Sequence, residues 1–246
     1  MIIAALIVAL WATEADARSA RQQFSVLTAR GAALVESLGD CANRTCPAVL
    51  LLSGSRGFGS PVYDEIGERL SASGLKPYLV HILSARDLDT IGRAGGARAR
   101  IAYYAQRFPD WISAVQSVAA SFKAQPRHGG RLGLLGVSLG AQIAAAVSAG
   151  PSPVDALVLV DGGLPPGSSQ PVRSWPPLLL IWGSADQTFP LSIGRDLQRQ
   201  ARQLGGPVTL DVYDGGAHDF FLRSGTRNAM AAHSSTADFL SSHLSR

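Results

Sequence analysis

Residues 131–140 read Arg131-Leu-Gly-Leu-Leu-Gly-Val-Ser-Leu-Gly140. The second half is a G-x-S-x-G pattern centred on Ser138, which marks a nucleophile elbow when a strand enters it and a helix leaves it. Residues 132–137 have the length and apolar composition of a strand, and the small-residue run from Leu139 onward starts a helix. The glycines two places either side of Ser138 have a physical purpose. Strand and helix meet at a sharp, strained turn that pushes the hydroxyl outward, and larger neighbours there would clash.

Outward from this stretch, strands and helices alternate. Upstream, residues 24–28 and 33–38 read as a hairpin around Arg30-Gly31, 48–53 as a buried strand, 61–72 as an amphipathic helix and 76–83 as a strand. Residues 97–123 read as helix in two pieces, broken at Pro109. Downstream come a helix over 139–148, strands at 156–160 and 178–182, a helix over 191–204, a strand at 208–213 and a closing helix over 228–244. Continuous apolar runs such as Ala156-Leu-Val-Leu-Val and Leu178-Leu-Leu-Ile-Trp suit parallel strands covered on both faces. The pattern predicts an α/β fold, a doubly wound and mostly parallel sheet of about eight strands that begins with an antiparallel hairpin. The Pro-, Gly- and Ser-rich segment 162–177 is too short for a large cap domain and reads as a loop at the mouth of the site.

Length and charge exclude several classes. A chain of 246 residues is one domain of ordinary size. Its net charge of +4 comes from 20 arginines and only 2 lysines, Lys76 and Lys123, against 18 acids. The basic residues are scattered, without runs or interleaved aromatics, which argues against nucleic acid as a partner. At the N-terminus, Ile2 to Trp11 is an apolar stretch of 10 residues, too short to span a bilayer comfortably, followed by Ala15-Asp16-Ala17. This combination predicts a signal peptide over 1–17, a mature domain over 18–246 and a periplasmic or secreted location, without stable membrane insertion after cleavage. The missing positive n-region leaves an uncleaved anchor as the alternative. Loss of Glu14 and Asp16 would take the mature charge to +6. Cys41 and Cys46 are the only cysteines; in an oxidising compartment they would close a small loop and contribute about 2 kcal/mol. Two cysteines without nearby histidines make a poor zinc site.

In doubly wound sheets, functional residues gather at the carboxyl ends of strands. Ser138 meets that condition, as do Asp186, in Gly183-Ser-Ala-Asp186, and His218, in Tyr213-Asp-Gly-Gly-Ala-His218. Serine is a weak nucleophile until an imidazole takes its proton, and a carboxylate fixes the imidazole tautomer and stabilises its cation. Ser138, Asp186 and His218 are therefore the expected catalytic residues. Asp161 also follows a strand, but one strand earlier than the usual acid position. Of the five histidines, only His218 lies in a glycine-bearing loop after the final strand; His81, His128, His233 and His243 lie elsewhere. An oxyanion hole needs two backbone N–H donors. Leu139 is expected to supply one, and Ser55, in the glycine-rich loop Ser53-Gly-Ser-Arg-Gly-Phe-Gly59, the other, with Arg56 next in line. No Gly-Lys-Ser/Thr follows that loop, so a phosphate-binding role is weakly supported.

From about residue 48 to 240 the chain resembles the dienelactone hydrolase family of α/β-hydrolases. The resemblance rests on Leu51-Leu-Ser-Gly-Ser-Arg-Gly57, Leu135-Gly-Val-Ser-Leu-Gly140, Gly183-Ser-Ala-Asp186 and, most specific, Tyr213-Asp-Gly-Gly-Ala-His-Asp-Phe220. It implies an eight-stranded hydrolase fold without a large lid, neither metal nor cofactor, and cleavage of small esters or lactones. The chain also departs from the family pattern. The type enzymes carry cysteine where Ser138 stands, many relatives have His-Gly where this chain has Ser53-Gly54, and Gly140-Ala141 replaces a double glycine. Dienelactone itself is thereby a doubtful substrate. Two arginines hold the substrate carboxylate in the type enzymes; Arg86 and Arg223 resemble them in position, and Arg56 borders the oxyanion loop. The alternative is that these are surface arginines of an arginine-rich chain. The same acyl-serine would also serve an acyltransferase, and the fold alone would serve a binding protein.

Overall fold

The computed structural model describes residues 21–29, 31–39, 41, 45–167 and 171–245. The expected leader, 1–17, lies outside the described residues, as do Arg30 of the first hairpin and 168–170 of the mouth loop.

Strands β1 (Gln22–Thr28) and β2 (Gly31–Ser37) pair antiparallel, from Gln22 opposite Ser37 to Thr28 opposite Gly31. Then follow β3 (Ala48–Leu52), β4 (Lys76–His81), β5 (Leu132–Val137), β6 (Ala156–Val160), β7 (Leu178–Gly183) and β8 (Val208–Tyr213). They form one 8-stranded sheet in the order β1-β2-β4-β3-β5-β6-β7-β8. The β2–β4 pairing is antiparallel and every pairing from β4 to β8 is parallel. The predicted α/β-hydrolase architecture is the one observed.

Helices cover both faces because successive strand residues point to opposite sides. On one face Ala48, Leu50 and Leu52 pack with Leu134, Leu157 and Leu180 under α3 (Ala97–Lys123), α4 (Leu139–Ser148) and α5 (Leu191–Gln203). On the other, Val49, Leu51, Leu135, Leu179 and Ile181 pack under α1 (Val62–Ala72) and α6 (Arg227–Leu244). No strand or helix occurs among the described residues of 161–177, so that segment adds no cap domain.

Two local expectations are corrected. Helix α3 runs unbroken through Pro109. Proline removes one N–H and crowds the carbonyl four residues back, at roughly 3 kcal/mol. The same helix buries Phe108, Trp111, Val115, Val118, Ala119 and Phe122. Burial of each large apolar side chain is worth about 1.5–3 kcal/mol, so packing outweighs the break. The second correction is an additional helix, α2 (Ala85–Arg93), between β4 and α3. It starts with a reciprocal capping box in which the Ser84 hydroxyl accepts from the Asp87 amide and the Asp87 carboxylate accepts from the Ser84 amide.

Cys41 and Cys46 are joined in a disulfide with Cα atoms 6.5 Å apart. It leads into β3, where the Cys46 amide donates to the Arg127 carbonyl at 3.0 Å and buried His128 Nδ1 donates to the Cys46 carbonyl at 3.0 Å.

The elbow leaves no room for side chains at its two glycines. A methyl group on Gly136 would lie 2.4 Å from the Gly140 carbonyl oxygen, and one on Gly140 would lie 2.3 Å from that of Leu52. Gly140→Ala should therefore lower stability by about 3 kcal/mol or more, measured as the denaturant midpoint. Gly92→Ala, on α2, where a methyl group meets nothing within 4 Å, should leave the midpoint unchanged or raise it. Replacing both cysteines by serine should cost about 2 kcal/mol in the same measurement; no change would mean that the loop contributes nothing in solution.

Candidate active site

Ser138 stands between β5 and α4 with φ 54° and ψ −112°, a left-handed conformation that non-glycine residues rarely hold. The strain is fixed on three sides. The Ser138 amide donates to the Val160 carbonyl at 2.9 Å, and the Ser138 carbonyl accepts the amides of Ala141 and Gln142 at 3.0 and 3.1 Å. From the third side comes the turn after β6, since a methyl group on Gly162 would lie 2.6 Å from the Ser138 carbonyl oxygen. The hydroxyl is left facing the loops beyond the carboxyl ends of β7 and β8.

Those two loops are knitted together by backbone. Ser184 donates to the Tyr213 carbonyl and Ala185 to that of Gly216, both at 2.9 Å. Gly183 lies so close to Gly216 that a methyl group would be 2.2 Å from its oxygen. The Asp186 and His218 turns are therefore one rigid unit. Ser138 Oγ is 2.9 Å from His218 Nε2, and His218 Nδ1 is 2.8 Å from Asp186 Oδ2. The other Asp186 oxygen accepts from the amides of Thr188 at 2.7 Å and Phe189 at 2.9 Å. The Asp186 side chain is fully buried while that of His218 is 26% exposed, so solvent reaches the imidazole but not the carboxylate. The structure thus brings the three sequence-predicted residues into one hydrogen-bonded chain.

Sequence reasoning missed several supports. The Phe189 ring stacks on His218 with centroids 5.5 Å apart, and its carbonyl accepts from buried Trp182 Nε1 at 2.8 Å. Behind the histidine loop, His233 of α6 donates through Nε2 to the Phe221 carbonyl at 2.8 Å. Burial lowers the pKa of His233, which favours the neutral imidazole, while its bond to the Phe221 carbonyl acts the other way. Neither ring carries a local motif; only the three-dimensional packing reveals them. Asp161, by contrast, has a strand-end position in the sequence. It lies buried at the end of β6, its Oδ1 accepting the Gly183 amide at 2.9 Å.

Leu139 is the first, buried residue of α4. Ser55 lies in the turn after β3, closed by a bond from the Gly57 amide to the Gly54 carbonyl at 3.0 Å. A methyl group on Gly54 would be 3.5 Å from Ser138 Cβ, so this loop passes directly beside the serine. Helix α2 leans on the same loop, with Leu88 reaching Gly57. A buried carboxylate anchors α2: Asp87 accepts from Tyr103 Oη at 2.6 Å, Arg107 Nε at 3.0 Å and Trp111 Nε1 at 3.4 Å, besides its capping bonds to Ser84. Burial alone would raise its pKa, but the hydrogen bonds from Tyr103, Ser84 and Arg107 outweigh that and carry it down to about 2. Arg56, Arg86 and Arg223 are exposed, and Arg223 is paired with Asp219 at 2.9 Å.

Asp161, Asp186 and His218 each offer one potential ligand atom within 4.8 Å of the others, a separation that would admit a cation. Both His218 nitrogens, however, are already engaged, Nε2 with Ser138 and Nδ1 with Asp186.

The comparisons with known proteins come from two directions. Among solved structures, a putative dienelactone hydrolase from Klebsiella pneumoniae subsp. pneumoniae is similar at TM-score 0.69 and 15% identity, over 89% of this chain and 97% of its own. A dienelactone hydrolase from Anabaena variabilis gives 0.66 and 20%, over 91% and 99%. Thermogutta terrifontis esterase 2, phosphorylated by paraoxon, gives 0.66 and 17%, over 90% and 93%. At these identities the likeness is one of fold. No curated protein matches the chain. The sequence itself matches the model of the dienelactone hydrolase family over residues 37–243, from the last residue of β2 to the last turn of α6. A match of that extent decides the question: the chain belongs to the dienelactone hydrolase family and is a carboxylic-ester hydrolase.

Proposed function

We propose that this protein hydrolyses small carboxylic esters or lactones through an acyl-serine intermediate, with Ser138 as nucleophile, His218 as general base and acid, and Asp186 as the orienting carboxylate. The observation that carries the reading is the unbroken relay Ser138 Oγ–His218 Nε2 at 2.9 Å and His218 Nδ1–Asp186 Oδ2 at 2.8 Å. In this reading Ser138 Oγ attacks the carbonyl carbon as its proton passes to Nε2. The oxyanion that forms is held by the amides of Leu139 and Ser55. Collapse expels the alcohol, which takes the proton from Nε2, and water repeats the sequence on the acyl-serine to release the acid. Asp186 meets the requirement of a charge that stays put, sealed from solvent and held by two backbone amides on its other oxygen.

The exposed arginines bear on substrate choice. A cation in open solvent, or already paired as Arg223 is with Asp219, contributes little selectivity. Small neutral esters therefore fit this mouth better than acyl groups that need a dry arginine clamp, which would draw on Arg56, Arg86 and Arg223. We also infer export. The apolar leader and Ala15-Asp16-Ala17 support it, the Cys41–Cys46 bridge suits an oxidising compartment, and among the described residues no helix is long and apolar enough to cross a membrane.

Ser138→Ala should lower kcat by about four to six orders of magnitude at unchanged thermal stability, with His218→Ala nearly as severe and Asp186→Asn less so. A fluorophosphonate should label Ser138 alone, and an activated ester should give a burst equal to the enzyme concentration. Labelling at another residue, or turnover surviving the alanine change, would remove Ser138 from the role. On an ester panel, Arg86→Met and Arg223→Met should affect anionic and neutral esters equally; selective loss on anionic esters would restore the arginine clamp. Mass spectrometry of the protein from its native host should find a chain beginning after Ala17 and two cysteines inert to alkylation until reduced. An intact Met1 or freely alkylated thiols would contradict export.

A further inference from the structure

Beside Asp186 and His218 lies a buried acid that the chemistry above does not use. Asp161 is 0% exposed and has φ 46°, a left-handed backbone like that of Ser138. Its Oδ1 accepts the Gly183 amide, but its Oδ2, sealed from solvent, has no hydrogen-bond partner. An oxygen of this group lies within 4.8 Å of both an Asp186 oxygen and a His218 ring nitrogen. A buried carboxylate oxygen without a donor is costly, and two carboxylates so close do not both stay ionised. Asp186 is the one equipped to hold charge, since it accepts from Thr188, Phe189 and His218. Those three donors leave room for one more at its roughly four acceptor positions. Asp161, when protonated, has one donor to give.

We propose that Asp161 is a positioning residue that keeps its proton and directs it to the Asp186 carboxylate, directly or through one water, so that the two aspartates share a single negative charge behind His218. The inference rests on the roles assigned above to Ser138, His218 and Asp186. Burial pushes the Asp161 carboxyl up, the Gly183 amide opposes this, and the charges of Asp186 and Asp219 add to the rise, to about 8. His218 is a further titratable neighbour, within 4.8 Å. The elbow presents Ala141 and the Ser138 backbone to the adjoining Gly162, and α5 presents Ile193 and Leu197 to Gly163. Loss of the Asp161 proton would remove a donor from Asp186 and set a second negative charge beside it. The acid would then loosen and the imidazole lose its fixed tautomer.

The test compares the full-length protein with Asp161→Asn and Asp161→Leu across pH, by ester kinetics and by thermal unfolding. Asn keeps a neutral side chain with an N–H in place of the O–H, so kcat near pH 7 should stay within about threefold. Leu should lower kcat about ten- to a hundredfold with KM little changed, the effect of losing a hydrogen bond to a charged group. Wild-type kcat/KM should fall above about pH 8, and that fall should be absent in Asp161→Asn.

The stability readout has a definite sign. The folded state binds the Asp161 proton more tightly than the unfolded chain, so its contribution is full below about pH 4 and is lost as pH rises through about 8. The Tm of Asp161→Asn relative to wild type should accordingly climb between those limits and level off beyond them. A shared alkaline fall in both proteins, a Tm difference that does not vary with pH, or an Asp161→Asn variant as impaired as Asp186→Asn would each overturn the proposal. If Ser138→Ala remained active, the nucleophile assignment would fail instead, while the Tm comparison would still report on the Asp161 proton.

Discussion

Gly140 lies against the Leu52 carbonyl and Gly136 against Gly140, at separations where an added methyl group would fall 2.3 and 2.4 Å from oxygen. This backbone-on-backbone contact forces β5 and α4 into so tight a turn that Ser138 must take a left-handed conformation. The same contact brings the loop after β3 alongside the serine, because Gly140 presses on the last residue of β3 and on Ser53. Ser138 and the loop after β3 are thus positioned by one packing event. A side chain at either glycine would move both.

The remaining groups depend on the parallel sheet. Residues 138, 186 and 218 are distant in sequence, yet parallel pairing from β5 through β8 brings their strand ends to one edge. Distance along that edge is then closed by the loops, with the β7 and β8 turns sharing backbone hydrogen bonds at Ser184 and Ala185. Asp186 and His218 are held by the same short stretch of main chain, so their mutual distance is insensitive to side-chain motion elsewhere. The stacked Phe189 ring and the His233 bond to Phe221 brace this unit from front and back.

Much of this was legible in the sequence because it is written in local signals. Apolar runs gave the parallel strands, glycines marked the elbow, and the order serine, aspartate, histidine fitted successive strand ends. Contacts between distant residues were not legible. Helix α2 was missed although Ser84 and Asp87 stand at capping-box spacing, because its mean composition is polar and its one deeply buried acid reads as surface until Tyr103, Arg107 and Trp111 arrive from α3. Pro109 misled in the opposite direction: the local rule is sound, but the buried stripe on α3 overrode it. Asp161 was visible as a strand-end acid, yet nothing local distinguishes a carboxylate on a turn from a carboxyl lacking solvent and one partner.

The Asp87 anchor has a consequence for how the protein meets acid. A carboxylate held down near pH 2 contributes its full stabilisation above the ordinary carboxylate range and loses it progressively as pH falls from about 4 to about 2. In the folded protein the Asp87 carboxylate therefore keeps its charge, and its bonds to Tyr103, Ser84 and Arg107, under mild acidification, so the rim beside the loop after β3 keeps its shape. Helix α2 would be among the last parts of the rim to feel the change.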